Sequence, residues 1–503
     1  MESDHARKST LSNLCLYRYL AASLFIVLHI ATNASNGLIN IDKKNVPHSF
    51  VPFDEETDNF VKNIFASWER ETFEVFDKVK DPNGVAIDLG AWIGTTAIWL
   101  SKNFGHVIAV DADRTSLQCL KNNLSASQCS NVTICEKPVK QTSDHVVFGP
   151  RENALNLSTS HVKKESDNIN DYSIQATTFK QLIYDFVYEN DAIENKKISF
   201  IKCDIEGGEE SILEDLLHFA YNNKAKAYIS FHLDWWENKN IAEFEYLFKF
   251  FKTSCPSLNI ADYIKKNPFT SILFEPLSDA GTLIKKNMPI VIIGYNQLTY
   301  IKHMVSQLEK YTTDIIIIDN NSSYEPLLNY YANDFKYTLL RQKINHGHRI
   351  IANRFIQSVI GDIHIMTDPD LKFNINLPND FINILVALSN HFKAHKVGFA
   401  LHINSDQIRT DVFCNGCTIK KWESQFWKTR LIYPLNYSLE LYKAPIDTTF
   451  CLVNHKFYLG YNIRVAGNYT CLHLPWLKDF QNHMPSEEYE AYLKNNISST
   501  WIK

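Results

Sequence analysis

Residues 85–111, VAIDLGAWIGTTAIWLSKNFGHVIAVD, constrain the fold of this chain more than any other stretch. An apolar run at 85–87 stops at Asp88 and opens into Gly90, with Gly94 four residues on. A helical segment at 95–102 leads to a second apolar run at 106–110, which stops at Asp111. Strand, glycine turn, helix, strand and terminal acid, in that order, predict the first βαβ unit of a doubly wound parallel sheet. Glycines let a turn approach a ligand, and a helix start offers free N–H groups. An acid ending the second strand can accept hydrogen bonds from two ribose hydroxyls. The expectation is a nucleoside-binding crevice.

The spacing narrows the nucleoside. A dinucleotide site uses G-x-G-x-x-G, with its middle glycine making room for a pyrophosphate. Here the pattern is D-x-G-x-x-x-G, and Trp92 and Ile93 fill that room. This favours S-adenosylmethionine and disfavours a nicotinamide oxidoreductase. Asp88, Gly90, Ala91, Gly94, Asp111 and Ala112 form the candidate cofactor set, with Asp88 ordering the turn and Asp111 holding the ribose.

At 503 residues the chain is long enough for two or three domains. A net charge of −5 with no long basic run speaks against a nucleic-acid partner. Ten cysteines are spaced without the density of a disulfide framework, and Cys414-Asn415-Gly416-Cys417 lacks the second ligand pair that zinc needs. Near the N-terminus, Arg7, Lys8 and Arg18 accompany a short apolar core at 20–30. Residues 1–35 are therefore expected to be a signal peptide or signal anchor, giving secretory or membrane-attached residence; the alternative is cytoplasmic.

Residues 60–79 place apolar side chains near the helical period and predict one long amphipathic helix. Residues 149–172 are polar and aperiodic, which predicts a loop or lid near the substrate. An apolar strand at 198–203 then runs into Asp204, Glu206 and a glycine pair, and another at 227–231 ends at His232. Ligands in open α/β sheets sit beyond the carboxyl ends of the strands, so Asp204, Glu206 and His232 are candidates to accept a substrate proton, directly or through a metal. The segments VAIDLGAWIGTTAIWLSK, VIAVDADRTSLQCLKNNL and ISFIKCDIEGGEESIL resemble the signature segments of FkbM-type methyltransferases. The resemblance implies a Rossmann-like domain over 48–276 that methylates hydroxyl oxygens, often on sugars. Asp111-Ala112-Asp113 stands where that family often has E-P-D, and Cys203 and Gly208 replace a more usual aliphatic residue and alanine.

A polar linker at 277–287 separates this from a second α/β pattern over 288–480, followed by a tail at 481–503. Strands are expected at 289–293, 313–318, 337–340 and 362–366, with helices at 298–308 and 350–359. The second strand delivers Asp319-Asn320-Asn321-Ser322-Ser323, expected to contact a nucleoside, and the fourth delivers Asp368-Pro369-Asp370. Two short carboxylates across a turn can hold Mn²⁺ or Mg²⁺ against a diphosphate. The order fits a GT-A-type nucleotide-sugar fold. Blocks at 422–427, 446–450 and 466–476 resemble those of GT-A-like glycosyltransferases, which implies His473 as a third metal ligand. Asp447 is the candidate acceptor-side carboxylate. The combined expectation is a bifunctional enzyme on a glycan or glycoconjugate, methylating a hydroxyl and transferring sugar from a nucleotide sugar. The alternative is a methyltransferase whose second domain only binds carbohydrate.

Overall fold

The computed structural model describes residues 37–150, 160–166, 171–188, 193, 196–278, 280–404, 406–414, 416–480 and 484–494. The apolar segment at 20–30 lies outside them. Among the described residues no helix is long and apolar enough to cross a membrane. The chain forms two compact units that part between Glu136 and Lys137.

In the first unit, strands Asp81–Leu89, Phe104–Val110 and Val132–Cys135 run parallel, with Phe104–Val110 in the middle. Residues 85–89 of the first strand are fully buried, as expected for a strand covered on both faces. The helix Thr95–Asn103 follows the glycine turn, and Arg114–Ala126 follows the second strand. Asp113 caps the latter by accepting from the N–H groups of Thr115 and Ser116.

The single helix expected over 60–79 is broken. A helical turn at Glu55–Asn59 runs into a π-helical turn at Phe60–Ile64, and a separate helix begins at Arg70 and ends at Val79. Glu69, at φ 43°, makes the break. The carbonyls freed there are not wasted: the buried ammonium of Lys43 donates to those of Phe65 at 2.8 Å and Ala66 at 3.3 Å, and to that of Trp68. A helix end buried without such a donor would be costly.

In the second unit, Ile198–Cys203 and Lys226–His232 pair in parallel. Phe269–Pro276 then adds antiparallel to Lys226–His232, and Phe251–Thr253 pairs with it in turn. The fifteen-residue helix Glu209–Asn223 follows the first of these strands. Within the stretch read as a loop or lid, His161–Lys163 is a strand, antiparallel to His145–Gly149, which also pairs with Tyr172–Gln175.

The same unit contains a nine-stranded mixed sheet. Its parallel part runs in the order Thr338–Arg341, Ile315–Asp319, Ile290–Gly294, Ile363–Thr367. Strand order reverses at Ile290–Gly294, the switch point at which such sheets open a crevice. Beyond it Cys451–Asn454 pairs antiparallel with Ile363–Thr367. The fold is thus α/β throughout, Rossmann-like in the first part and GT-A-like in the second.

Lys285, within the segment expected to be a linker, is 4% exposed. Its ammonium meets Asp215 of the helix Glu209–Asn223 and lies 2.5 Å from Asp314, just before Ile315–Asp319. Lys180 bonds the same two acids at 2.5 and 3.0 Å. Burial opposes the charge on Lys285, yet the two carboxylates hold its pKa well above the ordinary value. These ion pairs thereby fasten the helix Glu209–Asn223 to the start of an interior strand of the nine-stranded sheet.

Candidate active sites

The glycine turn is held from beneath. The N–H groups of Gly90 and Ala91 both donate to the Val110 carbonyl, at 2.9 and 3.0 Å. Gly94 takes φ 95°, and a side chain there would meet Leu120 Cδ1 at 3.0 Å, so both conformation and space call for glycine. The Trp92 N–H donates to Asp111 Oδ2 at 2.7 Å, and the Asp113 N–H donates to Oδ1 at 2.9 Å. Both carboxylate oxygens accept from backbone N–H groups and, with two lone pairs each, retain capacity for a hydroxyl donor. Burial pushes the Asp111 carboxyl up to about 6, against the pull of those backbone bonds. Asp88 is fully buried and accepts from Thr96 Oγ1 at 2.7 Å, which ties the strand end to the helix. Ala112 is buried beside Asp111. The Trp92 ring packs against Phe60 and Trp68, at centroid separations of 5.1 and 6.5 Å.

Asp204, Glu206 and His232 come together at the ends of Ile198–Cys203 and Lys226–His232. One ligand atom from each lies within 4.8 Å of the others. His232 Nε2 is 3.6 Å from Asp204 Oδ1 and 3.8 Å from Glu206 Oε2. Its other nitrogen, Nδ1, hydrogen-bonds Glu209 Oε1 at 3.0 Å. Glu209 is fully buried and accepts from the N–H groups of Ile205 and Gly207 and from Trp236 Nε1. Trp235 stacks on the imidazole at 5.1 Å and 3°. A side chain at Gly207 would meet the Trp235 carbonyl at 2.9 Å, so that glycine permits the approach. Burial works against a charged His232, but the bond to Glu209 and the charges of Glu209, Asp204 and Glu206 raise its pKa to about 9. Sequence reasoning gave Glu209 no role. Its only signal was its place as an acid at the start of a helix, beside a glycine pair.

In the nine-stranded sheet, Asp319 ends Ile315–Asp319 and is fully buried. It accepts from the Ser322 N–H at 3.1 Å, from Ser322 Oγ, from Tyr331 OH at 3.3 Å and from Arg341 Nε at 3.4 Å. Its carboxylate organises the Asn320-Asn321-Ser322 turn from inside. Asp368 and Asp370 follow Ile363–Thr367, and His473 reaches them because Leu371–Phe373 pairs with Cys471–His473, Leu371 opposite His473. His473 Nε2 lies 3.5 Å from Asp370 Oδ2. Asp368 Oδ2 accepts from Thr448 Oγ1 at 2.5 Å. Burial raises the pKa of both acids, their mutual repulsion adds to it at Asp368, and burial lowers His473 to about 4. Among the described residues, Asp370 Oδ1 and His473 Nδ1 are buried without hydrogen-bond partners, which a cation at this site would relieve. Asp447 is exposed, and its charge acts on Asp368.

Residues 88–252 match the family model of the methyltransferase FkbM domain, and residues 290–459 match glycosyl transferase family 2. The chain thus carries, in order, a segment similar to methyltransferase domains and one similar to glycosyltransferase domains. Among solved structures, the FkbM methyltransferase of Methylobacillus flagellatus KT is similar to this chain at 17% identity, over 44% of this chain and 55% of that one, with a TM-score of 0.24. An rRNA methylase from Streptococcus thermophilus matches at 12% identity, over 42% and 96% of the two chains, with a TM-score of 0.25. A Streptococcus mutans protein in complex with SAH matches at 13% identity over 41% and 96%, with a TM-score of 0.25. No curated protein matches this sequence.

Proposed function

We propose that the chain modifies one class of acceptor twice: its methyltransferase domain O-methylates a sugar hydroxyl, and its glycosyltransferase domain adds sugar from a nucleotide donor. The observation that carries this reading is that each family-matched segment ends its parallel strands in an acidic centre suited to its own donor. S-adenosylmethionine supplies an activated methyl group. Asp111 holds its ribose while Gly90, Ala91 and Gly94 let the methionine portion approach the backbone. Asp204, Glu206 and His232 take up the hydroxyl proton as one cluster, directly or through a bound cation, and the Nδ1 bond to Glu209 keeps His232 Nε2 facing the two carboxylates. Proximity does most of the work, because the sulfonium is already a good leaving group.

In the second domain a divalent cation, Mn²⁺ or Mg²⁺, supplies charge stabilisation for a departing nucleotide diphosphate. Asp370 and His473 would hold it together with Asp368, and Asp319 shapes the nucleoside turn from below. Asp447, exposed and with its charge acting on Asp368, would meet the acceptor. The N-terminal 1–35 is proposed to direct the enzyme to the secretory pathway or its membranes, where glycoconjugate acceptors are built. We take 48–276 and 288–480 as the two functional domains.

A thermal-shift experiment tests the pair. S-adenosylhomocysteine should stabilise the protein in one arm, and Mn²⁺ with a nucleoside diphosphate in the other. Loss of the first response in Asp111→Ala, and of the second in Asp370→Ala, is the expected result. Absence of both responses in the unaltered protein would overturn the bifunctional reading.

A further inference from the structure

We propose that Asp204, Glu206 and His232 form a second divalent-cation site, in the methyltransferase domain and separate from the Asp368–Asp370 centre. Three features of the geometry point there. First, one ligand atom from each residue lies within 4.8 Å of the others, and His232 Nε2 stands 3.6 and 3.8 Å from the two carboxylates, beyond hydrogen-bond reach of either, while the Lys202 ammonium lies 3.7 Å from the other oxygen of Asp204. Adjacent ligands about 2.1 Å from one cation are separated by roughly 3.0–3.5 Å, so small side-chain adjustments close the shell. Second, the far nitrogen of the imidazole is committed to Glu209 at 3.0 Å. A carboxylate on Nδ1 is the usual device that fixes the tautomer and aims Nε2 at a metal. Third, Glu209 is pinned by two backbone N–H groups and the Trp236 indole, and Trp235 stacks on the ring, so His232 has little freedom to turn away.

One imidazole and two carboxylates are a donor set for Mn²⁺ or Mg²⁺ and leave coordination positions open. Those positions suit neutral oxygen ligands. A sugar carrying two adjacent hydroxyls would occupy two of them, with one oxygen presented for methylation. This assignment of acceptor rests on the methyltransferase reading above, whereas the binding of the cation does not.

The test is Mn²⁺ binding to the full chain, read by electron paramagnetic resonance, in a background where Asp368→Asn and Asp370→Asn have removed the other centre. One bound Mn²⁺ is expected. Asp204→Asn combined with Glu206→Gln should abolish it, and Glu209→Gln should weaken it by about 10- to 100-fold. If the background substitutions prevent folding, the unaltered chain serves: two Mn²⁺ should bind, and one after Asp204→Asn with Glu206→Gln. Mn²⁺ binding that is absent, or unaffected by those substitutions, overturns the proposal. A thermal shift with S-adenosylhomocysteine, run without metal, separates the two ideas. Stabilisation without a second Mn²⁺ leaves the methyltransferase intact and removes the cation. A second Mn²⁺ without stabilisation does the reverse.

Discussion

Two centres of the same composition, two acids and a histidine at strand ends, sit in opposite electrostatic states. At Asp204, Glu206 and His232 the histidine is surrounded by carboxylates and its pKa rises to about 9. At Asp368, Asp370 and His473 the acids are pushed up by burial, and the histidine is pushed down to about 4. The difference lies in what stands behind each imidazole. Glu209 backs His232, whereas His473 Nδ1 is buried without a hydrogen-bond partner among the described residues and Trp476 packs on its ring at 4.5 Å. At the first centre the imidazole supplies a counter-charge to the acids, and at the second it does not. Residue type alone therefore does not set the behaviour of such a site; its desolvation and outer partners do.

The largest break in this symmetry should come from Asp370. Asp370→Asn removes one carboxylate from a buried centre whose imidazole supplies no counter-charge, and nucleotide-sugar turnover should fall on the order of 10³-fold. Methyl transfer should continue, because the other centre shares no ligand with it. Measuring both activities on the one variant checks this, and a parallel loss of both would show that the centres are not independent.

Histidines away from both centres extend the contrast to stability. Burial lowers His218 and His364 to about 3, with Lys285 and Lys180 adding to the effect at the first and His455 at the second. A histidine whose folded pKa lies below its unfolded value loses stability as pH falls through the unfolded value near 6.5. At pH 5 each should cost about 2 kcal/mol relative to pH 7. Urea melts at the two pH values, repeated on His364→Gln, should show a smaller acid loss in the variant. An equal loss would assign the effect elsewhere.

Glu209→Gln sharpens the comparison more gently. The shape is kept, but the charge behind His232 is removed, and methyl transfer should drop about 10- to 100-fold. Among the described residues no comparable carboxylate backs His473, so sugar transfer should not respond. A response there would undo the distinction between the two centres.

Much of this architecture was legible because it is local. The helix at 298–308 has the bounds expected of it, and the glycine turn, Asp111 and the Asp368-Pro369-Asp370 turn all end the strands assigned to them. What was not legible depends on partners remote in sequence. The break near Glu69 is stabilised by Lys43, 22 residues from Phe65. Glu209 acquires its role only when His232, 23 residues later, folds over it. The acid of the Asp319 turn looks the same in sequence whether it faces a ligand or the core, and only Tyr331 and Arg341 show that it faces inward. The polar segment at 149–172 disclosed no period because its strand, His161–Lys163, is three residues long.

The smallest expected effect distinguishes the cofactor turn from both centres. Asp111 has a folded pKa of about 6, raised by burial, so its sign is opposite to that of the buried histidines. Above pH 6 its ionised form costs the fold some stability, and that cost is relieved as pH falls toward the ordinary value of 3.8. Ligand binding should run the other way. Ribose hydroxyls donate to an ionised carboxylate, so affinity for S-adenosylhomocysteine should fall by up to about tenfold between pH 7 and pH 5. Calorimetric titration across that range should show the slope in the unaltered protein. In Asp111→Asn, binding should be weaker at pH 7 and the slope should vanish. A slope that survives the substitution would place the titrating group elsewhere in the crevice and leave Asp111 as a brace for Trp92 and Asp113 alone.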